Sequence, residues 1–257
     1  MSTRFGVVLL PGGVLPADLA YGGLLERLGG EFDARAKDLE VYRGDAPPPG
    51  YSLDDEVAGI LSFADQAGFD RFHLVGYSAG GASALAFCDR CPERLVSLVL
   101  NEPAWTGQSK FDDDERELWR HFLELEQLPE EQLMARFVRL QLREGVEPPS
   151  PPEGPEPPWM AKRHAGFAAV MHAFDWYEPN WSRLAQFKRP VLYTLGGRSN
   201  PLYYERQAAR LATVFPDFTL EVFPERHHFD PPHRVEPDRV AALLRTFWER
   251  AEALVEG

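Results

Sequence analysis

Gly76-Tyr77-Ser78-Ala79-Gly80 sets a serine between two glycines, each one residue removed from it. A serine in G-x-S-x-G is useful as a nucleophile when a strand delivers it and a helix carries the chain away, because that sharp turn lifts the hydroxyl above a sheet. Here the apolar run Phe72-His73-Leu74-Val75 leads into the motif, and a stretch of small residues follows it towards Pro92. The setting points to nucleophilic acyl chemistry. Gly76 and Gly81 also have the spacing of a phosphate-binding loop, but Ala82 stands where its lysine would meet the phosphates, which excludes that chemistry.

A serine hydroxyl is a weak nucleophile and needs a base within hydrogen-bond reach. Of seven histidines, His228 is the best placed, because it follows the last strand expected, Leu220–Phe223. Loops at the C-terminal edge of a parallel sheet are where such a sheet gathers its functional groups. His227 is the adjacent competitor. The cluster His227, His228, Asp230 and His233 raises the question of a metal, but Pro231 and Pro232 preclude a helical ligand pair. No metal and no cofactor is expected. His73, His121, His164 and His172 read as packing or surface residues. Cys88-Asp89-Arg90-Cys91 falls at the end of the helix after Ser78, so no helix N-terminus lowers a thiol pKa, and both cysteines read as packing.

The elements that must position these groups are legible from periodicity. Phe5–Leu10, Leu95–Leu100 and Val191–Leu195 are continuous apolar runs, as buried strands are, and Leu39–Tyr42 is a weaker strand candidate. Ser52 and Asp55 form the start of a helix that runs through Leu53, Val57, Ile60, Leu61 and Ala64 to a C-cap at Gly68. Further helices are expected over Leu202–Val214 and from Val240 to Ala251. Apolar strands alternating with helices predict an α/β fold, with a mostly parallel central sheet covered on both faces. The alternation breaks once, over 105–187, where three helical patterns appear around Leu118–Leu125, Leu133–Val138 and Met160–Phe174. Gly145–Pro158, with seven prolines and three glutamates in fourteen residues, reads as an extended or mobile surface loop.

Composition sets the outer bounds. The chain has 257 residues, 44% hydrophobic and 26% charged, a balance suited to one large domain or one domain with an insertion. Its formal net charge of −13 argues against nucleic acid and against an anionic membrane surface. No apolar run approaches the ~20 residues needed to span a bilayer. The opening residues lack a signal-peptide core, and two cysteines provide no disulfide framework. A cytoplasmic protein with a small-molecule partner is expected, with the oligomeric state left open.

On these residues the chain resembles the α/β-hydrolase superfamily, in its serine-nucleophile branch with a helical cap. The resemblance is carried by Leu9-Leu10-Pro11-Gly12-Gly13, His73 to Gly81, Pro92-Glu93-Arg94-Leu95 with Leu98-Val99-Leu100, Pro190-Val191-Leu192, and His228. It implies a core domain of 1–104 and 188–257, with 105–187 as the cap. It also implies a Ser–His–acid triad containing Ser78 and His228, and an oxyanion hole made by the backbone N–H groups of Ala79 and of Gly13 or Val14. Two departures stand out. Pro11-Gly12 replaces the usual His-Gly, and Gly196-Gly197-Arg198-Ser199-Asn200-Pro201 has no carboxylate where the acid usually lies. Glu102, after the strand Leu95–Leu100, is the candidate acid, since some members, including certain haloalkane dehalogenases, draw their acid from that position. Asn200 as a neutral orienter and no orienter at all are the alternatives; Asp230 reads as a loop-ordering residue.

Trp159, Met160, Phe167, Met171, Phe174 and Trp176 form an apolar set to be buried between cap and core, some of it lining an acyl pocket. Residues 111–156 carry 13 acidic and 5 basic side chains, which would oppose polyanionic substrates. The function expected is that of a carboxylesterase acting through an acyl-enzyme on a small to medium, neutral, hydrophobic ester. Carbon–carbon bond hydrolysis, amidase and perhydrolase activities use the same constellation, and a non-catalytic small-molecule-binding protein of this fold is the alternative from another class.

Overall fold

The computed structural model describes residues 5–150 and 154–256. In chain order it runs β1 (Gly6–Leu10), α1 (Ala17–Leu28), β2 (Ala34–Ala36), α2 (Leu53–Gln66), β3 (Phe72–Tyr77), α3 (Ala79–Arg90) and β4 (Leu95–Asn101). Four helices follow before the next strand: α4 (Asp113–Leu123), α5 (Glu130–Leu140), α6 (Met160–Trp176) and α7 (Trp181–Leu184). The chain closes with β5 (Val191–Gly196), α8 (Arg206–Val214), β6 (Phe218–Phe223), α9 (Pro232–Val235) and α10 (Pro237–Glu256).

The six strands form one parallel sheet in the order β2-β1-β3-β4-β5-β6. Successive side chains on a strand point to opposite faces. Val8, Leu10, Leu74, Leu98, Leu100 and Tyr193 therefore pack with α2, α3, α8 and helices between β4 and β5. Val7, Leu9, Val75, Val99 and Leu192 pack with α1 and α10 on the other face. Burial on both sides is why these strands are apolar without alternation.

Three local expectations are revised and one helix is added. Leu39–Tyr42 is not a strand: Glu40–Tyr42 form a single 3-10 turn, and the second strand is Ala34–Ala36. The apolar residues there are buried as the turn tucks under the sheet, and the Val41 N–H donates to Glu56 Oε1 at 3.1 Å instead of joining a ladder. The sequence reading passes over α1, whose buried residues Ala17, Ala20, Tyr21, Leu24 and Leu28 share one helical face, with Gly22-Gly23 off that face. The helix expected over Leu202–Val214 begins as a π turn, Pro201–Glu205, before α8. Trp176, placed in the buried apolar set, is 86% exposed.

The helices between β4 and β5 are tied to the rest of the fold by part-buried polar contacts. Glu115 on α4 pairs with Arg210 on α8, and Arg163 on α6 meets Asp38 Oδ1 at 3.0 Å. Trp105 Nε1 donates to the Tyr177 carbonyl at 2.8 Å, which joins the segment after β4 to the end of α6. Of the proline-rich stretch, Pro151-Pro152-Glu153 lie outside the described residues, and 145–150 and 154–158 contain neither helix nor strand. Among the described residues no helix is long and apolar enough to cross a membrane.

Candidate active site

Ser78 stands between β3 and α3 with φ 54° and ψ −118°. Such a conformation costs a non-glycine residue about 1–3 kcal/mol and persists only where its surroundings over-determine it. Here they do. A Cβ on Gly76 would stand 2.3 Å from the Gly80 carbonyl oxygen, and one on Gly80 would stand 2.4 Å from that of Pro11. Strand, turn and helix therefore approach as closely as backbone permits. The Ser78 N–H donates to Asn101 at 3.1 Å, and the Ser78 carbonyl accepts from Ala104 at 2.8 Å, binding the turn to the end of β4.

The loop from β6 to α9 brings His228 to this turn. Its Nε2 is 2.9 Å from Ser78 Oγ, and its Nδ1 is 3.0 Å from Glu102 Oε2. Glu102 is the other non-glycine residue with positive φ, 44°, among the described residues. Its second carboxylate oxygen accepts the backbone N–H of Gly196 at 2.8 Å. Both oxygens are thus engaged, one by the imidazole and one by the end of β5. With Nδ1–H donating to Glu102, Nε2 is left to accept from the Ser78 hydroxyl. Ser78, His228 and Glu102 are all buried.

His228 is held from further directions. Tyr77 donates its hydroxyl to the His228 carbonyl, and the Tyr204 ring stacks on the imidazole with centroids 4.7 Å apart. Burial first, and then the charge of Glu102, pushes the phenols of Tyr77 and Tyr204 well above the ordinary range, so both hydroxyls remain neutral donors.

Gly13 and Ala79 face one another: a Cβ on Gly13 would stand 4.0 Å from that of Ala79 and 3.3 Å from the Tyr42 hydroxyl. Ala79 opens α3, and the first N–H groups of a helix have no carbonyl partner within it. Substituting Pro11-Gly12 for His-Gly leaves the backbone here in contact with the turn, since a Cβ on Gly12 would lie 3.2 Å from that of Ser78.

The remaining candidates lie elsewhere. Asn200 accepts from the Leu202 N–H at 3.0 Å and donates to the Leu140 carbonyl at 2.7 Å, so its amide is committed away from His228. His227 accepts from the Phe229 N–H at 3.2 Å. Asp230 pairs with Arg226 at 2.7 Å and His233 stacks on Tyr21, so these side chains do not converge on a metal. Cys88 and Cys91 are free thiols, and burial pushes both pKa values up.

Half-buried Phe229 lies edge-on to the imidazole at 5.3 Å, and a row of half-buried rings leads away from it: Phe137 at 6.0 Å from Phe229, then Phe167 at 5.3 Å from Phe137, all between ring centroids. Phe137 and Phe229 carry no periodic signal for this role, because a helix and a loop only meet here through the fold.

A strained serine on a strand–helix turn, a buried histidine and a family-like sheet define an α/β-hydrolase fold. The model of the alpha/beta hydrolase family matches residues 7–243, and the chain belongs to that family. Curated relatives include N-formylmaleamate deformylase of Pseudomonas putida, 34% identical over 106 residues, 40% of this chain and 39% of that protein. Another is 2-hydroxy-6-oxo-6-phenylhexa-2,4-dienoate hydrolase of Comamonas testosteroni, 36% identical over 24% of this chain and 26% of that protein. The chain thus spans less than two fifths of either relative in these matches. Among solved structures, a thermophilic esterase from Thermogutta terrifontis superposes with a TM-score of 0.69 at 19% identity, covering 97% of this chain and 91% of that one. A meta-cleavage product hydrolase from Pseudomonas fluorescens gives 0.65 at 18% identity, covering 96% and 91%. At such identities the likeness is one of fold.

Proposed function

We propose that this hydrolase is a carboxylesterase that uses Ser78, His228 and Glu102 on a small to medium, neutral, hydrophobic ester. The observation that carries the reading is the unbroken hydrogen-bonded chain from Ser78 Oγ through the imidazole to Glu102. Ser78 Oγ attacks the ester carbonyl carbon as its proton passes to His228 Nε2. The tetrahedral intermediate then collapses, the C–O bond breaks, and that proton goes to the leaving alcohol. Water, deprotonated by the same nitrogen, cleaves the acyl-enzyme to the free acid and restores Ser78. Glu102 holds the imidazole in the required tautomer and balances its transient charge. The N–H groups of Ala79 and Gly13 receive the developing oxyanion. Residues 105–187 act as the cap, and Phe229 against His228, with Phe137 and Phe167 stacked behind it, favours an apolar substrate group.

The test is intact mass after incubation with a small fluorophosphonate, with the Ser78→Ala protein alongside. One adduct, absent from the variant, is expected. No adduct on folded protein would refute the reading and leave a binding protein of this fold.

Carbon–carbon bond hydrolysis of a carboxylate-bearing substrate is the second reading, suggested by the name of the dienoate hydrolase relative. One feature of this chain favours it. The Arg163 side chain is 93% buried, lies 3.9 Å over the Tyr42 ring, gives Nη2 to Asp38 Oδ1 at 3.0 Å, and has no partner for Nε and Nη1 among the described residues. A carboxylate would satisfy those donors. Esters with and without a terminal carboxylate on the acyl chain separate the two: preference for the anionic ester, lost in Arg163→Gln, would favour the second.

A further inference from the structure

Tyr203 and Tyr204 are neighbours in sequence, yet both side chains are buried. The π turn Pro201–Glu205 that carries them is a winding that occurs in single turns, frequently at functional sites. Tyr203 sends its hydroxyl to the Ala104 carbonyl. Tyr204 lies against His228, with ring planes only 14° apart and centroids 4.7 Å apart. Its hydroxyl donates to Gln141 Oε1 at 2.7 Å, and Gln141 is the residue that ends α5 of the insertion. The Tyr204 carbonyl accepts from the Tyr193 hydroxyl at 3.2 Å, and its N–H donates to Asn200 at 2.9 Å.

This turn occupies the segment where the family's acid usually lies. In its place Asn200 anchors the turn to Leu140, and the same segment meets the insertion again through an antiparallel bridge between Leu142 and Ser199. With the carboxylate moved to Glu102, the β5 side of the site presents an aromatic face to the imidazole instead of a charge.

We propose that Tyr204 is a positioning residue, whose ring holds the His228 imidazole between Ser78 and Glu102 while its hydroxyl fixes that ring to the helical insertion. The proposal rests on the reading of Ser78 and His228 as the reacting pair. The two hydrogen bonds of the imidazole restrain it in its own plane, and a flat ring against its face restrains tilting out of that plane. Tilting would misalign Nε2 with the serine proton. Misplacement by about 1 Å can cost roughly 100-fold in rate.

The test compares the full chain with Tyr204→Phe and Tyr204→Leu. The readouts are the second-order rate of fluorophosphonate labelling and kcat and KM on p-nitrophenyl butyrate. Tyr204→Leu is expected to lose about 100-fold in labelling rate and in kcat with KM within twofold of the parent. Tyr204→Phe, which keeps the face, is expected to recover to within about tenfold. If Tyr204→Leu does not fold, Tyr204→Met takes its place, since it fills similar space without a flat face. A leucine or methionine variant labelled within threefold of the parent, or a phenylalanine variant as slow as the leucine one, overturns the proposal. Absence of labelling in the parent instead refutes the Ser78–His228 reading itself, so the two failures are distinguishable.

Discussion

His233 offers a quantitative check on the packing behind the site. Its imidazole is fully buried, stacks on Tyr21 at 4.9 Å, meets Tyr77 at 4.8 Å, and has no hydrogen-bond partner on either nitrogen among the described residues. Burial, reinforced by the charge of Arg234, pushes its pKa from 6.5 down to about 3. The folded state therefore holds a neutral imidazole while the unfolded chain takes up a proton as pH falls below 6.5. Stability linked to this group is fully present above the unfolded value. It is lost as pH falls from 6.5 towards 3, at up to about 1.4 kcal/mol per pH unit. Between pH 7 and pH 5 the loss amounts to about 2 kcal/mol. Replacing His233 by Phe keeps an aromatic ring between Tyr21 and Tyr77 and removes the proton site. Urea midpoints at pH 5, 6 and 7, converted with a common m-value, give the change in stability for each protein. The parent is expected to lose about 2 kcal/mol more than His233→Phe over that interval. Parallel curves, differing by less than about 0.5 kcal/mol, would refute the assignment of a neutral, unsolvated imidazole to this position.

Three further outcomes are expected. Glu102→Gln should lower kcat by about 10³- to 10⁴-fold with the fold intact, because the amide no longer favours the productive tautomer; adding Asn200→Asp should not restore activity, since that side chain is committed to Leu140 and Leu202, as ester assays of the double variant would report. Gly80→Ala should fail to accumulate as soluble protein, because its Cβ would stand 2.4 Å from the Pro11 carbonyl oxygen; near-parental yield and melting temperature would contradict this. Glu115→Ala should destabilise the chain by about 3–5 kcal/mol, measured by urea unfolding, because it strands the Arg210 guanidinium, which is only 10% exposed.

The strands and the serine turn were legible because their causes are local. An apolar run between turn residues has few alternatives when both faces are buried, and Gly76, Gly80 and Gly81 mark a close crossing wherever it occurs. Where the sequence misled, a tertiary contact had overridden a local pattern. Leu39–Tyr42 is apolar enough for a strand, but Glu56 captures the Val41 N–H and turns the chain. Trp176 is apolar but lies across the helix from Met160, Phe167, Met171 and Phe174, so α6 carries it into solvent when that stripe is buried. Gly22 and Gly23 lower the helix propensity of α1, and its stripe is held helical by packing with α10.

Residue types and their local spacing carry the chemistry available and most of the scaffold: a serine on a strand–helix turn, a histidine past the last strand, and a segment after β5 with no carboxylate. Which groups meet was decided by the tertiary structure. Glu102 and His228 are 126 residues apart, and no spacing rule links them. They meet because β4 and β5 are hydrogen-bonded neighbours, so that Gly196 at the end of β5 donates to Glu102 while the loop after β6 folds back over both. The same holds for Tyr204, whose ring faces the imidazole only because a π turn rotates two consecutive tyrosines inward. Residue types set what a site can do; the sheet order and one irregular turn set which residues do it.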